Sequence, residues 1–303
     1  MHGPGMLIWP YLALVAAGCC WGLGLPFGKI ALAETDAAHM ILLRFAVAGI
    51  AVLPIALRNA KSRSLFLNPA VLAAGGCYAV GFLLEFEGLA RSSVAIAALL
   101  VGGMPALIAV AAAIGGDKVG RTAWIGVGAA TLGAALIAGK PGAGASPLGV
   151  LLCLVSLPVF LGWIYAARKA PKTASLVDVS CVAIVTAAVI LLPVVWIMHG
   201  PPQLKLSPIA WGGIVGQGLL STVVATITWQ LGSSKVSSAA AGVFINLEPL
   251  VGSALGVTLF HDRPTLVAVF GGVLILGGSL VTVLSEHADR HEHLTPSDAA
   301  TPA

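Results

Sequence analysis

Apolar runs of about twenty positions alternate with short polar breaks along almost the whole chain. A bilayer core roughly 30 Å thick takes about 20 residues of α-helix. Ten runs meet that length, over residues 7–31, 38–57, 69–88, 92–114, 121–139, 148–167, 177–197, 208–231, 237–259 and 265–284. The pattern predicts an all-α membrane protein with ten transmembrane helices. Only the polar stretch at residues 286–303 stands clear of it, and its composition reads as a disordered cytoplasmic tail.

Composition agrees with that class. Of the 303 residues, 58% are hydrophobic and 9% charged, with a mean hydropathy of +0.99; a soluble domain carries roughly 25% charged residues. The first run has no Lys or Arg in the "MHGPGM" before it, unlike a cleaved secretory signal, so it is expected to stay as a helix. Five cysteines all lie inside apolar runs and define no disulfide framework. Loops on one side, with the tail, hold ten basic residues, among them Arg58, Lys61, Arg63, Arg168 and Lys172; the other side holds Arg91, Lys140, Lys205 and Arg263. The positive-inside rule then puts both termini in the cytoplasm of a cell (inner) membrane protein.

The chain also repeats. "ARSSVAIAALLVGGMPALIA" at 90–109 lies over "SKVSSAAAGVFINLEPLVGS" at 234–253, with Arg91 over Lys235 and Pro105 over Pro249. Each copy is followed by an acid in a short loop, Asp117 or Asp262, and then by a Gly-rich run. Residues 1–140 and 148–285 thus form two five-helix units. An odd helix number makes the second unit enter from the opposite face, so the two are expected to be inverted repeats.

Several stretches, "CWGLGLPFGKIAL", "LLRFAVAG", "GLARSSVAIAALL" and "LEPLVGSALGVTLF", resemble the EamA-type branch of the drug/metabolite transporter superfamily, over nearly the whole chain. The resemblance implies two inverted EamA repeats around a central cavity lined by helices 1, 3, 4, 6, 8 and 9. It places Trp21, Tyr78 and Gln230 on cavity-lining helices. The chain departs from the family where Asp117 and Asp262 stand for a customary Glu, and where Met104 faces Glu248 in the repeat alignment.

Glu248 interrupts an apolar run, between Asn246 and Pro249. A carboxylate at bilayer depth costs a few kcal/mol unless it is wet, paired or protonated, which makes Glu248 and Asn246 candidates for substrate binding or coupling. Pro249 and Pro105 lack a donor and free the carbonyls of Ile245 and Val101, predicting kinks at both. Lys29, Arg44 and Glu85 fall at similar depth near one end of helices 1, 2 and 3, and the expectation is that Arg44 or Lys29 pairs with Glu85 as a gate. No GxxxxGK[ST] or HExxH motif occurs, so ATP-driven pumping and zinc proteolysis are not indicated.

These residues point to a secondary transporter, not an enzyme. It is expected to export a small organic metabolite such as an amino acid by alternating access. Its partners would be the lipid bilayer, a small-molecule substrate and protons, with no cofactor, metal or nucleic acid. A multidrug or organic-cation efflux carrier is the alternative within transport, and an intramembrane enzyme or scaffold the alternative outside it.

Overall fold

The computed structural model describes residues 8–116, 119–139, 145–236 and 238–292, and is helical throughout its long elements. Ten helices follow the expected runs: α1 (Ile8–Ala31), α2 (Ala37–Leu57), α3 (Pro69–Ala90), α4 (Val94–Ile114), α5 (Arg121–Gly139), α6 (Pro147–Arg168), α7 (Leu176–His199), α8 (Pro208–Ser233), α9 (Ser238–Ile245 and Leu247–Leu259) and α10 (Leu266–Glu292). Eight are long and apolar enough to cross a bilayer, while α5 and α9 offer shorter apolar stretches. One boundary differs from expectation. The last helix continues to Glu292, into the segment read as a disordered tail, because no glycine or proline follows the apolar run until Pro296. The rest of that segment lies outside the described residues.

Local sequence explains the starts. Asn68, Ser146 and Ser207 each precede a proline, and their side chains accept from the backbone N–H of Ala70, Gly149 and Ala210 at 3.0, 3.0 and 3.2 Å. A side-chain cap followed by proline at the first helical position satisfies an orphan donor and presets φ, a pairing worth ~1 kcal/mol at the cap. Asp36 and Ser93 cap α2 and α4 with their side chains, on the His39 and Ile96 N–H, without a following proline.

Three helices break inside the bundle. The interruptions fall at Leu23 in α1, at Gly102 and Gly103 in α4, and at Asn246 in α9, in each case with a proline just beyond: Pro26, Pro105 and Pro249. Proline removes the donor that would close the preceding turn and crowds the carbonyl four residues back. The breaks in α4 and α9 sit where the two kinks were expected. The one in α1 had not been anticipated. Pro158 and Pro193, by contrast, ride inside continuous helices.

Helices pair antiparallel across the halves: α1 with α8, α3 with α6, α2 with α7, α4 with α9 and α5 with α10. Exchanging each helix with the one five places along leaves this set unchanged, since α1 with α8 becomes α6 with α3 and the others map onto themselves. Two inverted five-helix repeats produce that pattern. Small residues permit the approach. A Cβ on Gly22 of α1 would come within 2.6 Å of the Val251 Cβ on α9, and one on Gly252 of α9 within 2.9 Å of the Ala98 Cβ on α4. Gly126 and Gly133 of α5 meet Gly278 and Gly271 of α10 backbone to backbone.

Candidate functional site

The broken helices α4 and α9 pack against each other, and α1 lies against both. Asn246 occupies the α9 break and is 8% exposed; its Oδ1 has no hydrogen-bond partner among the described residues, while Nδ2 reaches the Val243 carbonyl at 3.5 Å. Glu248 follows two residues on, a little over half a helical turn round from Asn246. Its backbone lies against Gly22 of α1, and its side chain keeps part of its surface accessible. At the α4 break, the Ser279 hydroxyl of α10 donates to the Gly102 carbonyl at 2.6 Å.

Toward the end of the bundle where α1 finishes lies the second ionisable group. Arg44 of α2 is 1% exposed. Its Nε donates to Thr222 Oγ1 at 2.8 Å, and its guanidinium lies 3.8 Å from the Phe82 ring centroid, with Phe45 and Phe86 farther out. Nη1 is buried without a hydrogen-bond partner among the described residues. Glu85 of α3 is also buried. The charges of Glu85 and Glu248 both act on Arg44. The ion pairs among the described residues are nevertheless Asp36–His39, Arg58–Asp178 and Glu87–Arg91.

The expected gate pair is therefore corrected: neither Arg44 nor Lys29 pairs with Glu85. Thr222 and the Phe82 face take up the Arg44 guanidinium. Lys29 Nζ instead donates to the carbonyls of Leu89 and Ser92, at 3.0 and 2.7 Å, closing α1 onto the turn between α3 and α4. Those carbonyls lie at a helix end, where four acceptors lack intrahelical donors.

Thr222 belongs to a feature that sequence reasoning missed. Residues Gln217–Val224 of α8 wind as a π-helix. The wider turn leaves Thr222 Oγ1 donating to the Gln217 carbonyl five residues back, at 3.0 Å. Ser221 Oγ donates to the Cys20 carbonyl at 2.7 Å, and Gln217 donates to the Gly24 carbonyl, leaving its own Oε1 unpartnered. Such insertions often mark functional sites. The available signal was the polar spacing of Gln217, Ser221, Thr222 and Thr226 in an otherwise apolar run.

Aromatic rings complete the surroundings. Tyr78 stacks on Trp163, with centroids 4.7 Å apart, and contacts Thr226 Oγ1 at 3.4 Å. Trp21 is half-buried and tilted against Trp229, with centroids 5.2 Å apart. Trp163 and Trp229 thus make ring contacts within the bundle. Gln230 Nε2 donates to Ser180 Oγ of α7 at 3.0 Å, so that side chain ties two helices together. Asp117 lies outside the described residues. Asp262 Oδ2 accepts from the Ala95 backbone N–H at 2.8 Å.

The profile of the EamA-like transporter family matches residues 8–139 and again residues 147–284, one match for each five-helix unit. The chain belongs to the EamA-like transporter family. It is a multi-pass membrane protein of the drug/metabolite transporter superfamily. A probable biotin transporter of Pseudomonas aeruginosa is 30% identical over 108 residues, which is 35% of this chain and 37% of that protein. A crystal structure of a protein at 19% identity aligns with a TM-score of 0.65, over 92% of this chain and 98% of that one, and supports the fold. Within this EamA-like transporter, Arg44, Glu85 and Glu248 come from α2, α3 and α9, and the helices that surround them belong to both units.

Proposed function

We propose that this transporter is a secondary carrier that exports a small, carboxylate-bearing organic metabolite, an amino acid being the leading class, by alternating access. The observation that carries the reading is the charge set Arg44, Glu85 and Glu248, which forms no ion pair among the described residues, with Glu248 beside the break in α9. Interrupted helices at mid-bundle supply free backbone groups for a substrate, and buried ionisable residues in a membrane protein mark substrate or proton pathways. A guanidinium suits a carboxylate, and Glu248 suits an ammonium group or a coupling proton. The name of the Pseudomonas aeruginosa relative gives biotin, itself a carboxylic acid, as that protein's cargo.

Reconstitution tests this directly. Liposomes holding the purified protein should move a labelled amino acid without ATP, and Glu248→Gln should slow that movement while leaving insertion and melting temperature unchanged. If no member of an amino-acid, amine and carboxylate panel moves, the reading fails. Export of organic cations is the second reading, favoured by two carboxylates, Glu85 and Glu248, to one guanidinium, Arg44, with the Tyr78, Phe82 and Trp163 rings nearby. Preferential movement of permanently cationic amines would select it.

A further inference from the structure

We infer that Arg44 is the receptor for the substrate's carboxylate and that Thr222, on the π-helical turn of α8, is the residue that positions it. The inference rests on the carrier reading above and adds a specificity determinant to it. Three observations converge. The Arg44 guanidinium is enclosed, yet Nη1 has no hydrogen-bond partner among the described residues. Its orientation is fixed from two directions, by the Thr222 hydroxyl at Nε and by the Phe82 face beneath its plane. Finally, the carboxylates close enough to influence it, Glu85 and Glu248, do not form an ion pair with it.

A buried cation with an unused donor is costly unless something completes it. A planar guanidinium held rigidly is the group best matched to a carboxylate, which it can grip through two parallel N–H donors. The π-turn makes the hold possible. A Cβ on Gly218 would meet the Arg44 carbonyl at 2.9 Å, so α2 and α8 approach closely enough for Nε to reach Thr222 only because that position is glycine. The extra residue of the π-turn brings Thr222 to this face alongside Gln217, whose Oε1 is likewise unpartnered. A bound carboxylate adds negative charge next to two glutamates, and an ammonium group on the same substrate, set against the partly accessible Glu248, offsets it.

The test compares each of the twenty amino acids with its own methyl ester, which keeps the amine and removes the carboxylate. Binding to the full-length, detergent-purified protein is read by thermal shift and by competition. The expected result is at least one free acid that binds tenfold or more tightly than its ester. In Thr222→Val that ratio should fall toward one, whereas Thr222→Ser should keep it. Arg44→Lys should retain part of the preference and Arg44→Gln none. If no free acid binds better than its ester, the inference is overturned, and this decides the matter even where a variant fails to fold. An acid that binds with the expected preference but is not moved in liposomes would instead overturn the carrier reading and leave the receptor assignment standing.

Discussion

Arg44, Glu85 and Glu248 were visible in the sequence because a charge inside an apolar run is expensive in lipid and therefore conspicuous. Their partners were not. Opposite charges at similar depth suggested an ion pair, but depth fixes only one coordinate, and the guanidinium turns instead to Thr222 and Phe82. A threonine hydroxyl in a hydrophobic helix carries no comparable signal, since such groups routinely bond their own backbone. The contact pattern makes a prediction. Exchanging the charges, with Arg44→Glu and Glu85→Arg together, should leave transport as poor as Arg44→Glu alone, measured as initial rate in liposomes. A guanidinium at position 85 regains neither Thr222 nor the Phe82 face. Recovery well beyond the single variant would show that Arg44 and Glu85 act as a direct pair.

Apart from the C-terminal end of α10, helix boundaries were readable to within a few residues because caps, prolines and the bilayer length act locally. Interruptions were readable only in part. Pro105 and Pro249 announced theirs, but Pro26 lies in a run that resembles an ordinary first span, and a π-turn depends on tertiary partners that sequence periodicity does not encode. The crossing of α1 and α9 gives a stability prediction. Gly22→Val places new atoms against the Val251 side chain and the Glu248 carbonyl, at 2.6 and 2.9 Å for the Cβ alone. Overpacking of this kind costs about 1–3 kcal/mol, so the melting temperature in detergent should drop. Gly212→Ala, where a Cβ meets nothing within 4 Å, is the control and should be near neutral.

The connection between α1 and α2 is joined to the start of α8 by an acid. Glu34 accepts from the Ser207 backbone N–H at 2.7 Å and from its hydroxyl. Those bonds, the hydroxyl foremost, hold the Glu34 carboxyl below its ordinary value. A depressed carboxyl contributes stability above its unfolded pKa of roughly 4.3, and that contribution is lost as pH falls through the lower folded value. Glu34→Gln should therefore melt below the parent at neutral pH and converge with it in acid. The group is fully exposed, so the difference should be small, and a gap that widens on acidification would contradict the assignment.

Over the whole molecule, exchanging the halves maps the helix pairs onto themselves, and the repeated "ARSS" and "SKVSS" openings had foreshadowed that symmetry. What the repeat could not foreshadow is which residues fasten each end. At one end the Arg58–Asp178 ion pair, at 2.8 Å, spans the halves; the end where α1 finishes is tied through Lys29 on the Leu89 and Ser92 carbonyls, His39 Nε2 at 3.3 Å from the Gly200 carbonyl, and Asp262 on Ala95. The last two of these join the two halves, as does Glu34 on Ser207. Ser93 satisfies the Ile96 N–H at the start of α4, and Asp262, arriving from the loop between α9 and α10, satisfies the Ala95 N–H beside it. A carboxylate at a helix N-terminus also meets the positive end of the helix dipole. Under the alternating-access proposal, opening this end by rocking one half against the other breaks that cap, which would then act as a latch favouring the closed arrangement. Losing such a cap costs ~1 kcal/mol, which is about fivefold in a two-state equilibrium. Asp262→Ala should thus raise the fraction open at this end by about that factor. The readout is the rate at which a membrane-impermeant thiol reagent, added from that side, labels the half-buried Cys20 in a chain whose other cysteines are replaced. Asp262→Glu should label more slowly than the alanine variant, since it keeps the charge on a longer arm. Equal labelling of parent and Asp262→Ala would mean that the two halves separate elsewhere.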